Sequence, residues 1–512
     1  MRKVLLRPTH FTFHQEGLPP RFRVQCDEAS PAVRIEFATR PQLFTAEQAA
    51  QRTPDNYFNS AVGGDGVAAQ SLQLSQGKLT YEMPNPIWNR LKANPHIFYR
   101  VSATRATPPD WDAADPQTIR SVSDGYAAQG RSHYFGVPHD RLSDPWTFPD
   151  QGVLAQVPEY YQSKLRLLTR YPESSEAAYL LRRLGGHENY TALPPEQRTK
   201  ALLVFAATDI PARRAMLQLL GRSIAPTAAG ATATPAVRGT DFGAGHGTLL
   251  DNLALLVAID PHIDIPDGMD ILVAEAIEEV ADPSFEINQG RKGTCVPTSV
   301  SWLMATFSPA EYVRLLLGLL AEGGRATLAN GDQATVPADA YSYDAAEQAA
   351  NVPAFLRRSW SERLFQSSMM SYSRPGMSYA NIQDVFSDKR GGLTMEELRR
   401  MLRGLRNRTF QTLTGSGADL VSNIGTRLQQ PSLPILTQMV WGAAPNLGSH
   451  EVVSLRADAS DVTFRNPWGG MDYRVGQALG GPPRRCTNPS QAEEAMSRTD
   501  LAAVIQSLTV EA

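Results

Sequence analysis

Three side chains of the kinds that together perform nucleophilic chemistry stand far apart in the chain: a thiol at Cys295, an imidazole at His450 and a carboxamide at Asn466. Residues 288–307 read Asn-Gln-Gly-Arg-Lys-Gly-Thr-Cys-Val-Pro-Thr-Ser-Val-Ser-Trp-Leu-Met-Ala-Thr-Phe. After the thiol, Val296, Val300, Leu303, Met304 and Phe307 recur on one face of a helix. Cys295 therefore opens that helix. Pro297 agrees, because proline is tolerated in a first turn, where amides have no intrahelical acceptor, and breaks a helix further in. A thiol at this place meets the positive end of the helix dipole and unpaired backbone amides, which favour thiolate over thiol.

Residues 449–469 contain two alternating runs around the polar stretch Asp458-Ala-Ser-Asp461, a hairpin pattern. A turn centred on Asp458 pairs His450 with Asn466, Val452 with Phe464 and Ser454 with Val462. Imidazole and amide are then cross-strand neighbours with Cβ atoms about 5 Å apart. Asn466 orients the ring by accepting from one nitrogen, and the other nitrogen is left to take the proton of Cys295.

These segments resemble the site of the papain-like cysteine peptidases, and Asn466-Pro-Trp-Gly469 is most similar to the calpain branch. The resemblance implies an oxyanion-hole role for Gln289, a nucleophile at Cys295, a base at His450 and its orienting group at Asn466, with Trp468 shielding the contact. It also implies an acyl-enzyme on Cys295, a protein or peptide substrate, and no metal or organic cofactor. Each oxyanion donor in such sites contributes about 3–4 kcal/mol. The segment Gly293-Thr294-Cys295-Val296 departs from the papain pattern in lacking an aromatic residue after the nucleophile. The expected activity is a thiol-dependent endopeptidase. Its rivals are a transglutaminase-like acyltransferase and a catalytically silent papain-like interaction scaffold.

The elements that must position these groups occupy only part of the chain. At 512 residues it exceeds what one hydrophobic core usually covers, which predicts several domains. Short alternating strands such as Phe22-Val24-Cys26, Val33-Ile35-Phe37 and Leu79-Tyr81-Met83, parted by turn clusters at Gly63–Gly66 and Met83–Pro86, predict an all-β sandwich over 1–125, immunoglobulin-like or fibronectin-like. A Pro- and aromatic-rich connector covers 126–155. A small helical bundle follows over 156–222, with Gly185-Gly186 ending one helix and Asp209 capping another. Residues 223–240, rich in Ala and Thr, read as a flexible linker. The α+β, papain-like part spans 241–512, where Ser308–Glu311, Ser359–Glu362 and Thr394–Glu397 carry capping-box patterns.

A formal charge of −3 gives no global field for nucleic acid or anionic lipid, and no apolar run is long enough to span a membrane. Three cysteines cannot form a disulfide skeleton, which fits synthesis in the reducing cytoplasm. The three-residue run Val4-Leu5-Leu6 falls short of a secretory signal, so export, where it occurs, is expected by a route that reads no such signal. Architectural analogy then suggests a delivered effector or toxin, with the N-terminal domains binding a partner or the delivery machinery. Cys26 reads as a small core residue and Cys486 as an incidental loop thiol. Gly243–Gly247 lacks the Lys-Ser/Thr of a phosphate loop, and Asp260–Asp267 matches no metal spacing.

Overall fold

The computed structural model describes residues 146–169, 176–226, 231–262, 268–290, 292–342, 358–377, 379–384, 392–429, 434–441, 448–468, 482–488 and 491–512. Before these it describes 5–8, 21–25, 32–39, 46–63, 78–82, 84–91, 98–104 and 120–121, with 43, 69 and 72–73, and residue 265 later. Two units divide the chain; among the described residues the first ends at Leu217 and the second begins at Gln218. Cys26 and most of the connector lie outside the described residues.

In the first unit the alternating runs form two antiparallel sheets. One holds Leu5–Pro8, Arg21–Gln25 and Lys78–Glu82; the other holds Tyr57–Asn59, Ala32–Ala38, Phe98–Thr104 and Arg120–Ser121, with Leu72–Gln73 also on Ala32–Ala38. Val33, Ile35 and Phe37 are fully buried, and the Phe37 ring stacks on Tyr81 of the other sheet at 6.1 Å. The opposite parity is not solvated either: Glu36 is buried, accepts from the Tyr57 hydroxyl and pairs with Arg34. At the expected turn 83–86 a helix begins instead, Asn85–Leu91, because Pro86 falls in its first turn and Ile87 and Leu91 give it a buried side. Helices Gln151–Leu154, Glu159–Leu168, Glu176–Gly185, Glu188–Thr191, Pro195–Ala207 and Ile210–Gly221 follow. Asp209 caps the last, its Oδ1 accepting from the Ala212 amide at 3.1 Å.

The segment 223–240, expected as a flexible linker, is anchored in the second unit. Ser223–Ile224 pairs with Thr234–Pro235, and Ala236 and Val237 are buried. Its Ala/Thr composition hides two apolar anchors, and Arg222 beside it ties down two helix ends by donating to the carbonyls of Val280, Ala305 and Thr306.

The rest of this unit is a helical part followed by a seven-stranded antiparallel sheet. The helices are Leu249–Ala258, Met269–Ala281, Cys295–Phe307, Pro309–Leu320, Trp360–Ser373 and Met395–Arg406. The sheet runs, in spatial order, Phe410–Leu413, Ile505–Glu511, Ile435–Trp441, Gly448–Ala457, Asp461–Arg465, Glu493–Ser497 and Arg485–Asn488. Helices Gly417–Arg427 and Arg498–Val504 join one apolar cluster with the sheet through Leu420, Ile424, Val452, Phe464 and Leu501. Against the central strand Gly448–Ala457 packs the helix Cys295–Phe307, buried on every side from Cys295 to Ala305 rather than on one face.

Ser359 and Thr394 form capping boxes with Glu362 and Glu397. Ser308 does not. Its Oγ accepts from Arg406 at 3.1 Å, while Glu311 accepts from the Phe242 amide and pairs with Arg314, a charged partner stronger than a cap amide. Cys486, expected in a loop, lies on the edge strand Arg485–Asn488. Among the described residues no helix is long and apolar enough to cross a membrane.

Candidate active site

The segment before Cys295 is a tight turn with Gly290 at φ 58°, a left-handed conformation that glycine adopts at no steric cost. The Gln289 amide donates to Pro467 O at 2.9 Å, so this turn is joined to the segment that follows Asn466. Gln289 is buried, and its side-chain Nε2 donates to Lys292 O at 2.9 Å. The neighbouring helix Trp360–Ser373 grips the same turn. Gln366 donates to Asn288 O and accepts from the Thr294 hydroxyl, both at 2.9 Å, and the Glu362 carboxyl accepts from the Asn288 amide. Lys292 is fully buried and donates to Asn381 O at 2.7 Å, and the Gly293 amide donates to Asp384.

Cys295 occupies the first position of its helix, as its spacing implies, with Pro297 in the first turn. Its own backbone N–H therefore has no intrahelical acceptor. The backbone amides of Glu451 and Val296 donate toward the sulfur. Burial nevertheless pushes the thiol up to about 12, and the nearby Glu451 carboxyl pushes in the same direction. This reverses the thiolate expected from the helix dipole: with the group 7% exposed, loss of hydration outweighs the dipole and two amide donors.

His450 lies one residue before Glu451, and strand alternation turns the two side chains to opposite faces. Its Nε2 is 3.1 Å from Asn466 Oδ1. The ring is stacked on Trp468 with centroids 4.6 Å apart at 26°, and Trp441 approaches it to 4.6 Å at 51°. Burial lowers the imidazole to about 4, against the opposing effect of the Asn466 bond. With both groups neutral, ring and thiol have no ionic attraction. No hydrogen bond between Cys295 and the ring occurs among those described, where the sequence leads one to expect it.

The hairpin register differs from the expected one. Ser454 faces Phe464 and Val453 faces Arg465, and a bulge lies between Ser454 and Arg456. Asp458 does not centre the turn but opens it, its Oδ1 accepting from the amides of Ser460 and Asp461 at 2.8 Å. The resulting shift is two residues. An even shift preserves the face of every side chain, so His450 and Asn466 still meet, diagonally rather than directly opposite.

Behind Asn466 stands a second layer that the sequence reading missed. Asn466 Oδ1 also accepts from the Trp468 amide at 3.2 Å, and its Nδ2 donates to Glu494 Oε2 at 3.3 Å. Glu494 pairs with Arg484 at 2.8 Å, both almost wholly buried, and Arg484 lies over the Trp441 ring at 4.4 Å. Glu451 is 1% exposed, and neither of its carboxyl oxygens has a hydrogen-bond partner. Only its place next to His450 could have singled it out. Trp441, Arg484 and Glu494 carried no local signal, since partners on different strands are set by sheet order.

The arrangement thus provides an imidazole fixed by one nitrogen, a sulfur beside the backbone amide of the strand residue that follows it, Glu451, and donors at the start of a helix. No group of His, Cys, Asp and Glu suited to a metal ion occurs among the described residues. Comparison of the chain with protein-family models and with curated proteins finds no match.

Proposed function

We propose that the chain is a thiol-dependent hydrolase that cleaves protein or peptide substrates through an acyl-enzyme on Cys295, its second unit being a papain-like cysteine peptidase domain. The bond from His450 Nε2 to Asn466 Oδ1 beneath Trp468 carries this reading, because it reserves Nδ1 for the sulfur. His450 takes the thiol proton, and the sulfur adds to the scissile carbonyl. The Cys295 backbone N–H and the Gln289 side chain donate to the oxygen that gains charge. The imidazolium then gives its proton to the leaving amine. Water, deprotonated by the same ring, releases the acyl group and restores the thiol.

One observation favours a second reading, the catalytically silent scaffold. Burial holds both groups neutral, and the sulfur takes backbone amides instead of the ring. On the hydrolase reading this is a closed state that substrate must open and hydrate.

An electrophilic epoxide probe and an unfolded protein substrate test the choice in full-length protein with Cys26→Ser and Cys486→Ser. The hydrolase labels at Cys295 and cleaves the substrate at neutral pH, and Cys295→Ala does neither. A folded protein that forms no Cys295 adduct is the scaffold.

A further inference from the structure

The amide of Asn466 sits between partners of fixed polarity. An ionised carboxylate only accepts hydrogen bonds and a backbone N–H only donates. Glu494 Oε2 faces its Nδ2 at 3.3 Å, and the Trp468 amide faces its Oδ1 at 3.2 Å. One orientation of the amide satisfies both, with oxygen toward the ring. The ring nitrogen that meets that oxygen, Nε2 at 3.1 Å, must then carry the proton, and Nδ1 holds the lone pair. The polarity of the chain is set at its far end. Arg484 Nε donates at 2.8 Å to the same Glu494 oxygen that receives Asn466, so that oxygen accepts from both. Arg484 also covers Trp441, whose ring closes the second side of the imidazole.

We propose that Glu494, paired with Arg484, is a positioning residue that acts through Asn466 to hold His450 as its Nε2–H tautomer, so that Nδ1 is the nitrogen presented to Cys295. The proposal rests on the hydrolase reading for its kinetic consequence, whereas the tautomer does not. Remove the acceptor, and the Asn466 amide can turn over. Its NH2 group then faces the ring, Nε2 becomes the acceptor, and the proton moves to Nδ1, which can no longer act as a base toward sulfur.

The test is made on the full chain with its nine histidines labelled with nitrogen-15 in the ring. Long-range proton–nitrogen spectra identify each tautomer, and His450→Gln assigns the His450 signals by their loss. The wild type is expected to show protonated Nε2 and unprotonated Nδ1. Glu494→Gln keeps an oxygen that can serve Arg484 and Asn466 together and retains that pattern. The pair Arg484→Met with Glu494→Leu removes both charges without stranding either, and so keeps the fold. It should give mixed or inverted His450 tautomers and lower the maximal rate of epoxide labelling at Cys295 about tenfold, with the probe's half-saturating concentration unchanged. An unchanged tautomer in the double variant overturns the proposal, as does a wild type protonated on Nδ1. A tautomer that shifts as expected in a protein whose Cys295 never labels upholds the positioning role and removes the hydrolase reading.

Discussion

Asn466 Oδ1 lies 3.1 Å from His450 Nε2 although the strand register sets the two residues diagonally, two positions from direct opposition. The contact survives because side chains alternate with period two, so that only an odd slip would have sent Asn466 to the other face. Trp468 reinforces it twice, by stacking on the ring and by donating its amide to the same oxygen.

Asn466→Ala therefore leaves the ring between two indoles but free to turn over. Labelling of Cys295 by an epoxide is expected to slow by about 10²-fold, the usual effect of a misplaced reacting group. A melting temperature close to wild type would assign the loss to orientation, and an unchanged labelling rate would remove Asn466 from the site.

Burial holds the His450 imidazole near 4, below its ordinary 6.5. Within that interval the unfolded chain binds a proton that the folded chain refuses, so acidification from 6.5 toward 4 destabilises the fold, by about 3 kcal/mol in all. His450→Gln abolishes this dependence. Chemical denaturation across the interval should show wild type losing stability relative to the variant as pH falls, and parallel curves would contradict the buried neutral ring.

Glu451 has the opposite sign. Burial raises its carboxyl well above 4.5, so the unfolded chain releases a proton that the folded chain retains, and stability falls as pH rises above that value. Glu451→Gln should gain stability relative to wild type between about pH 5 and 8. It should also quicken alkylation of Cys295 at alkaline pH, where the wild-type carboxyl has ionised and raises the thiol. Slower alkylation would mean that Glu451 assists the sulfur.

What was legible in the sequence was local. The start of the helix at Cys295 followed from Pro297 and the apolar period, and the two late strands from their alternation. Their register was not, because a bulge at Leu455 and an aspartate-led turn depend on how Asp458 bonds to its own backbone. Nor was the state of the thiol. A helix N-terminus is visible in sequence, but burial from every neighbouring element is a property of the assembled fold, and here it is the larger effect. The linker expectation failed for a related reason: composition marks segments poor in apolar residues, yet Ala236 and Val237 supply buried anchors.

Gln366 gives the last prediction, since it holds both ends of the turn before the nucleophile. Its Nε2 donates to Asn288 O and its Oε1 accepts from Thr294, the residues flanking Gln289 on one side and Cys295 on the other. Gln366→Leu has nearly the same volume but breaks both bonds and leaves two buried polar groups unsatisfied, costing about 1–3 kcal/mol for each. Gln366→Glu keeps the acceptor for Thr294 and, protonated in this buried place, keeps a donor for Asn288 O. If the turn must place Gln289 and the Cys295 amide around a developing oxyanion, both variants should lower kcat more than they raise KM, with Leu worse than Glu by about tenfold. Peptide hydrolysis by full-length protein measures this directly. Equal loss in kcat and gain in KM, or a Glu variant as impaired as Leu, would show that Gln366 serves folding alone.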